Sequence, residues 1–368
     1  MTNMNDNKIN LNFLSINKNN PIDIDEVVSY EITGKKYIYY GKDNKFPLFI
    51  NNLYLNSPIL QGVVDTISDY VLGEGIQFTN TQLTNDTYIN ARKQTLEDIV
   101  EKIIFDHILY GGFAINVIRN KIGQVVELYH VDYKSIRVNK ELTKCYVSKD
   151  WCKWGSKYFE LPMYEMNQNN PSSIIYYNGN TNEQYPIPMY NSSIRSISNL
   201  IEVDKYHSSS LTNDFSPSMM LSFQEGKPTI EEQKEIETSL NKKWSGTSNA
   251  GKLLVTFSDG PDTSPTLQHI EQSDWGERYN SLIESAKENV YTSFRISSVL
   301  VGGTVQSTGF NALEFKSAFV LYNKTMIKPL QKQIERVFKN LLPNYGFEFI
   351  TFDTGGFDDN DNNIKNII

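Results

Sequence analysis

The sequence predicts an α+β fold in which two long helices bracket a small α/β insert and a long kinked helix follows. Three observations support this reading. In the first half, apolar residues recur at the helical period of 3.6 and then at the strand period of two. Two helical patterns, Ile194 to Asn213 and Asp274 to Phe294, enclose a stretch of short mixed elements. The longest helical pattern, Asn311 to Leu342, contains Pro329. With 368 residues, 39% hydrophobic and 12% aromatic, the chain can build two or three domains at roughly 100 to 200 residues each, and its composition excludes a disordered or collagen-like polymer. Its 35 Lys and Arg against 43 Asp and Glu give a net charge of −8. That balance disfavours a protein that coats a phosphate backbone, which gains affinity from clustered cations, but leaves loose contact with DNA open.

Residues 1–25 are Asn-rich and lack an apolar run of signal-peptide length, so a flexible arm without secretory meaning is expected. Val27 to Tyr40 reads as a β-hairpin around Gly34. Ser57 as N-cap and Pro58 at the first helical position open a helix with Ile59, Leu60, Val63, Val64, Ile67 and Val71 on one stripe, ending at Gly73 and Gly75. A second helix spans about Thr95 to Leu109 and stops at Gly111 and Gly112. Short strands follow at Phe113 to Arg119, Gln124 to His130 and Ser135 to Val138, with an aromatic, strand-like stretch from Lys144 to Tyr177. These elements predict two helices beside a mostly antiparallel sheet. Ser192 or Ser193 caps the first bracketing helix. The insert reads as a strand at Met219 to Phe223, a helix from Thr229 to Trp244 with a Thr229/Glu232 capping box, and strands at Lys252 to Phe257 and Thr266 to Ile270. After the second bracketing helix comes an uncharged loop, Val299 to Phe310, and then the long helix. Pro329 removes a backbone donor and crowds the preceding turn, which predicts a kink near Lys328. Phe347 to Phe352 closes as a strand, and residues 355–368 form an acidic tail.

Few residues suggest chemistry. Gly246 to Lys252 fits the glycine and lysine spacing of a phosphate-binding loop, but Leu253 stands where Ser or Thr would hold magnesium. The helix also precedes the loop and the strand follows it, the reverse of a working site. The histidines His107, His130, His207 and His269 are scattered without metal spacing, and Asp353, Asp358, Asp359 and Asp361 lack the pattern of a calcium loop. Cys145 and Cys152 read as reduced thiols. No nucleophile-elbow pattern occurs, and no segment approaches the roughly 18 apolar residues that span a bilayer. The expectation is a non-enzymatic protein with no cofactor, no metal and no membrane segment.

The order of these elements resembles the portal, or connector, protein of tailed double-stranded DNA bacteriophages over roughly residues 35–352. The similarity lies in Tyr40-Gly41-Lys42-Asp43-Asn44-Lys45-Phe46-Pro47, in Tyr110-Gly111-Gly112-Phe113-Ala114 and in the strand Val126 to Asp132. Further on it lies in Trp244 to Val255 and in Arg295 to Gly302, where Ser297 and Ser298 replace the prolines common in the family. The resemblance implies a phage portal-like subunit with wing, two-helix stem, small α/β clip insert and long kinked helix, assembling into a closed homo-oligomeric ring of about twelve copies. It divides the chain into an arm at 1–25, a first wing part at 26–191, a stem helix at 192–213, a clip at 214–272, a second stem helix at 273–295, a second wing part at 296–354 and a tail at 355–368. Within the second wing part lie the tunnel loop, 299–310, and the kinked helix, 311–342. Only about sixteen residues follow Phe352, so a helical crown is short or missing.

The implied location is the portal vertex of the capsid in the virion, with the host cytoplasm during assembly. The implied partners are the major capsid protein, the terminase large subunit, a head-tail adaptor and the double-stranded DNA that passes through. Gly302, Gly303, Thr304, Val305, Gln306, Ser307 and Thr308 would form the narrowest part of the channel. Arg195, Lys205, Arg278 and Lys287 on the stem would face DNA or the acids of neighbouring subunits. Glu231, Glu232, Glu235, Lys242 and Lys243 on the clip would dock terminase and adaptor. A channel that lets DNA slide cannot hold phosphates strongly, which suits an acidic chain and an uncharged loop, and the insert itself carries nine acids against five lysines. The alternatives are a ring-forming connector or tail protein without a DNA channel, and a nucleotide-binding enzyme using Gly246 to Lys252.

Overall fold

The computed structural model describes residues 29–79, 87–153, 155–166, 170–179, 181–213, 219–223, 229, 231–232, 234–235, 253–257, 266–269, 275–302 and 312–352. The expected arm, the acidic tail, Gly246 to Lys252, most of the insert helix and residues 303–310 lie outside the described residues.

The hairpin forms from β1 (Ser29–Tyr30) and β2 (Tyr39–Tyr40), paired Ser29 with Tyr40. The Tyr40 to Pro47 stretch then folds as a tight turn. Asn44 N–H donates to the Gly41 carbonyl, and both residues are left-handed, at φ 79° and 63°. At Gly41 a Cβ would lie 2.8 Å from that of Phe46, so the turn requires glycine there. Sequence periodicity did not anticipate the next element, α1 (Phe46–Asn56), whose first turn holds Pro47 and whose buried positions are Pro47, Ile50 and Leu53. Ser57 separates it from α2 (Pro58–Leu72). The Ser57 hydroxyl accepts the Leu60 N–H at 3.3 Å and so caps α2 as expected. Beyond Gly73, β3 (Gly75–Phe78) is a second unanticipated element; the two glycines that mark the helix end also disguise the strand start.

Thr95 and Asp98 cap α3 (Leu96–Tyr110) reciprocally, and left-handed Gly111 ends it. The strands β4 (Phe113–Arg119), β5 (Val125–His130), β6 (Ile136–Val138), β7 (Lys144–Val147), β8 (Phe159–Pro162) and β9 (Ser172–Tyr177) follow. They are antiparallel, but they form two separate sheets, β5-β4-β9 and β6-β7-β8, rather than one. The division occurs where Asp132 accepts the Lys134 N–H and starts a 3₁₀ turn at Tyr133–Ser135.

Helix α4 (Ile194–Asn213) leads into the insert sheet of β10 (Met219–Phe223), β11 (Leu253–Phe257) and β12 (Thr266–His269), ordered β11-β10-β12. β10 and β11 are parallel. Parallel neighbours need a long crossover, here residues 224–252, in which 231–232 and 234–235 are helical. The Thr229/Glu232 box forms: Thr229 N–H donates to the Glu232 carboxylate at 2.9 Å, holding that carboxyl below its usual range. Helix α5 (Trp275–Ser293) returns to the first half.

The long helical pattern is interrupted as expected, and a π-turn makes the break. α6 (Ala312–Tyr322) and α7 (Lys328–Leu341) flank a π-turn at Asn323–Ile327, in which Lys328 N–H reaches the Asn323 carbonyl. Widening the helix by one residue before Pro329 moves the preceding carbonyls away from the ring, so the missing N–H falls in the first turn of α7. Then β13 (Phe347–Ile350) pairs antiparallel with β3, and Gln331 Nε2 donates to the Val71 carbonyl at 2.9 Å. The chain after the insert thus returns to complete the core begun by α2.

At the centre of the first half, Arg137 is fully buried. Its Nε donates to Asn44 Oδ1, its Nη2 to the Asn44 carbonyl at 2.8 Å and its Nη1 to the Lys134 and Ile136 carbonyls at 3.1 and 2.6 Å. Trp151 stacks near it at 5.0 Å. The same core holds buried tyrosines with satisfied hydroxyls. Tyr40 donates to the Pro186 carbonyl, Tyr185 to that of Ile38, Tyr190 to that of Leu109 and Tyr133 to the Tyr176 hydroxyl. Burial raises all four phenols above their usual range.

Two predictions follow from this packing. Asn44→Ala removes the Oδ1 that accepts both Arg137 Nε and, at 3.1 Å, the Tyr40 N–H, and it puts at φ 63° a residue without asparagine's tolerance of the left-handed region, so it should destabilise the chain by about 3 kcal/mol in urea unfolding. Asn44→Gly, which tolerates the turn, should cost less. Because the buried phenols ionise more readily in the unfolded state, their contribution to stability is complete below about pH 10 and is lost above it. In an alkaline titration, Tyr40, Tyr133, Tyr185 and Tyr190 should therefore ionise only together with loss of near-ultraviolet circular dichroism.

Candidate functional site

The features set apart from an ordinary core are the helix pair α4/α5, the insert it carries and the loop that leaves the pair. Residues at helical spacing join the two helices: Ile194, Ile197, Leu200 and Ile201 on α4 and Ala286, Val290 and, just past its end, Phe294 on α5 are buried. Ser193 donates to the Asn289 carbonyl at 2.8 Å, and Asn289 Nδ2 donates to Ser196 at 3.2 Å. Phe294 stacks on Tyr190 at 4.8 Å. The base of the pair is therefore fixed to the first half.

The charged residues expected on this pair divide as follows. Arg195 is exposed on α4. Lys205 pairs with Glu202 at 2.8 Å and Lys287 with Glu284 at 2.9 Å, each within its own helix. Arg278 lies in the first turn of α5, with its side chain outside the described residues. Such exposed pairs add little stability, but they offset positive charge on the helix surface. On the insert, Glu231, Glu232 and Glu235 are exposed, while Lys242 and Lys243 lie outside the described residues.

At the end of α5, Arg295 adopts φ 53°. Its N–H bonds to the Thr292 carbonyl and that of Ile296 to the Tyr291 carbonyl, so a left-handed cap turns the chain out of the helix. A 3₁₀ turn, Ser298–Val301, then packs Leu300 into the core, where Tyr70 donates to its carbonyl at 2.9 Å. Gly302 closes the turn at φ 77°. Of the expected tunnel-loop residues only Gly302 is described; Gly303, Thr304, Val305, Gln306, Ser307 and Thr308 lie outside the described residues. Tyr322, the last residue of α6, donates to the Phe294 carbonyl at 3.3 Å, so the end of α6 is tied to the same aromatic base as the start of the loop. Burial raises the Tyr70 and Tyr322 phenols, which keeps both as donors. The anchors Tyr70, Arg295 and Tyr322 escaped sequence reading because aromatics at helical spacing look like core and a left-handed arginine has no local signature.

The other candidates have structural roles. His130 Nε2 lies 2.7 Å from Asp106, whose carboxylate also accepts the Tyr133 N–H; burial raises the Asp106 carboxyl. His107 Nε2 lies 3.0 Å from Gln333 Oε1. Cys145 is buried and free, its thiol pushed up to about 12 by burial, and Cys152 is exposed and free. No group of three potential metal ligands and no helix long and apolar enough to cross a membrane occur among the described residues.

An α+β body carrying a small α/β module on a braced helix pair, followed by a loop that starts from the same base, defines the class of subunit to which this chain belongs. The family model described as "Phage portal protein" matches residues 71–363, and the chain belongs to the phage portal protein family, a structural, non-enzymatic family. No curated protein matches. Among solved structures, a chain from the neck of an empty GTA particle computed with C6 symmetry is 14% identical, with a TM-score of 0.56 over 85% of this chain and 86% of that one. A chain from the neck of a native GTA particle computed with C12 symmetry is 14% identical, with a TM-score of 0.55 over 82% and 83%. An HK97 family phage portal protein from Corynebacterium diphtheriae is 13% identical, with a TM-score of 0.49 over 80% and 93%. The first two likenesses show the fold.

Replacing Arg295 by glycine removes the cost of a left-handed L-residue, about 1 kcal/mol. Thermal unfolding of the Arg295→Gly chain should show higher stability, and Arg295→Val lower.

Proposed function

We propose that this chain is the repeating subunit of a closed portal ring at one vertex of a viral head, the channel through which double-stranded DNA is packaged and ejected. The observation that carries the reading is the uncharged loop whose start is held to an aromatic base by Tyr70, directly after a helix pair bearing an insert, within a chain of the portal family. In this reading residues 26–191 and 296–354 are the wing, 192–213 and 273–295 the stem, and 214–272 the clip. Gly302 to Thr308 line the constriction. A ring of about twelve copies is supported by the C12 symmetry of the GTA neck that shares the fold.

The charge distribution supports passage rather than grip. Each neutralised phosphate adds to binding, and the pairing of Lys205 and Lys287 with glutamates of their own helices leaves less positive charge to hold a sliding duplex. Arg195 and Arg278 face DNA or the acids of a neighbouring copy. The acidic clip surface at Glu231, Glu232 and Glu235, with Lys242 and Lys243, docks the terminase large subunit and later a head-tail adaptor, while the wing meets the major capsid protein. The subunit assembles in the host cytoplasm and resides in the virion.

Electron-microscope class averages together with native mass determination test this reading. The expected result is a closed ring with a central hole slightly wider than duplex DNA. A ring too narrow for a duplex, or a stable dimer with nucleotide-dependent activity, would overturn it.

A further inference from the structure

An apolar groove of about 160 Å³ lies on the first half, remote in sequence from the helix pair and the loop. Its floor is Ile76 and Phe78 of β3, Leu96 at the start of α3, and Leu342 and Tyr345 after α7. Tyr88 and Val126 stand at its rim, 63% and 49% exposed. Large apolar side chains left open around a concave surface of this kind mark a binding groove. One carboxylate enters it. Glu97 is half-buried, accepts the Ile76 N–H at 3.5 Å with Oε2, and has no ion pair among the described residues. The groove therefore asks for a short apolar ligand carrying one cation.

We propose that the occupant is a segment of this same chain, Ile364-Lys365-Asn366-Ile367-Ile368. Ile364, Ile367 and Ile368 stand at i, i+3 and i+4, the spacing of an apolar anchor set on one helical turn. Lys365 is the one cation in residues 353–368, amid Asp353, Asp358, Asp359 and Asp361, and it complements Glu97. The path is short enough. Phe352, the last described residue, packs edge-on against Tyr70 beyond one end of β13, and Phe347 at the other end pairs with Phe78 in the groove floor. The twelve residues from Phe352 to Ile364 reach about 40 Å when extended, well beyond the length of a four-residue strand, and Gly355-Gly356 permits the reversal. This docking covers the groove and pins the tail back against β3.

Cysteine trapping in the full-length chain tests this, with exposed Cys152 replaced by serine. Under mild oxidation Val126→Cys with Ile367→Cys should link within one chain at least tenfold faster than Ile122→Cys with Ile367→Cys, Ile122 being 75% exposed on the nearby turn. Lys365→Glu should slow the link about tenfold, and adding Glu97→Lys should restore it. Equal rates for the two pairs, links formed only between chains, or insensitivity to both charge reversals would overturn the proposal. None of these outcomes depends on the ring.

Discussion

A guanidinium taken out of water costs several kcal/mol unless its N–H groups find acceptors, and Arg137 finds them in three carbonyls and one side-chain amide. Because most acceptors are backbone, the charge is satisfied only if the chain around it is correctly folded. Asn44 supplies two of the contacts, which requires its left-handed turn. Lys134 and Ile136 supply the others, which requires the 3₁₀ turn that separates the two sheets. The cation thus fixes where the hairpin ends, where α1 begins and where β6 starts. Tyr40 and Tyr185, stacked at 4.1 Å beside it, extend this order to the segment that leads into α4. An apolar residue at 137 could fill the space but would not dictate these backbone positions, so the buried charge specifies geometry more than it adds stability.

That rigidity is passed on through aromatic contacts. Tyr190 packs between the first half and the root of α5 through its bond to Leu109 and its stack on Phe294. Phe294 in turn accepts Tyr322 at its carbonyl, and Tyr70 holds Leu300. The helix pair, the start of the following loop and the end of α6 therefore share one base, whose parts come from α2, α3, α6 and the exit of α5. A loop that starts from such a base leaves it in a fixed direction. Under the proposed portal reading, this fixes where the constriction begins.

Much of this was legible in the sequence, because the signals were local. Ser57, Thr95 and the Thr229/Glu232 pair are caps whose partners lie three residues away, and Pro329 announces its own break. The period change at Phe113 reads directly as a strand. What escaped reading depended on distant partners. β3 is a strand because β13 pairs with it from some 270 residues away, and nothing in Gly75 to Phe78 signals that. Helix α1 is masked by Pro47 and by the turn before it, whose motif was visible as a family landmark although its reason, the Arg137 cage, was not. The candidate site was legible only as an order of elements: the uncharged loop and the bracketing helices could be read, while the tyrosines that anchor the loop looked like any other core aromatics.

The electrostatics complete the picture. On the helix pair, the two lysines with described ion pairs bond one turn away on the same helix, so they need no partner from another subunit to be neutralised. In high dielectric such pairs contribute little to folding, and their consequence is instead for the surface potential. A surface whose cations are already matched attracts a polyanion weakly and releases few counterions on contact. The contrast with Arg137 is instructive. Inside the core a cation is left without a carboxylate and forced to organise the backbone, whereas on the helix pair Lys205 and Lys287 are given carboxylates and made electrostatically quiet. One arrangement builds a stiff frame, and the other quiets two cations of the surface toward phosphate; the proposed channel function, which asks for a rigid subunit that does not adhere to DNA, uses both.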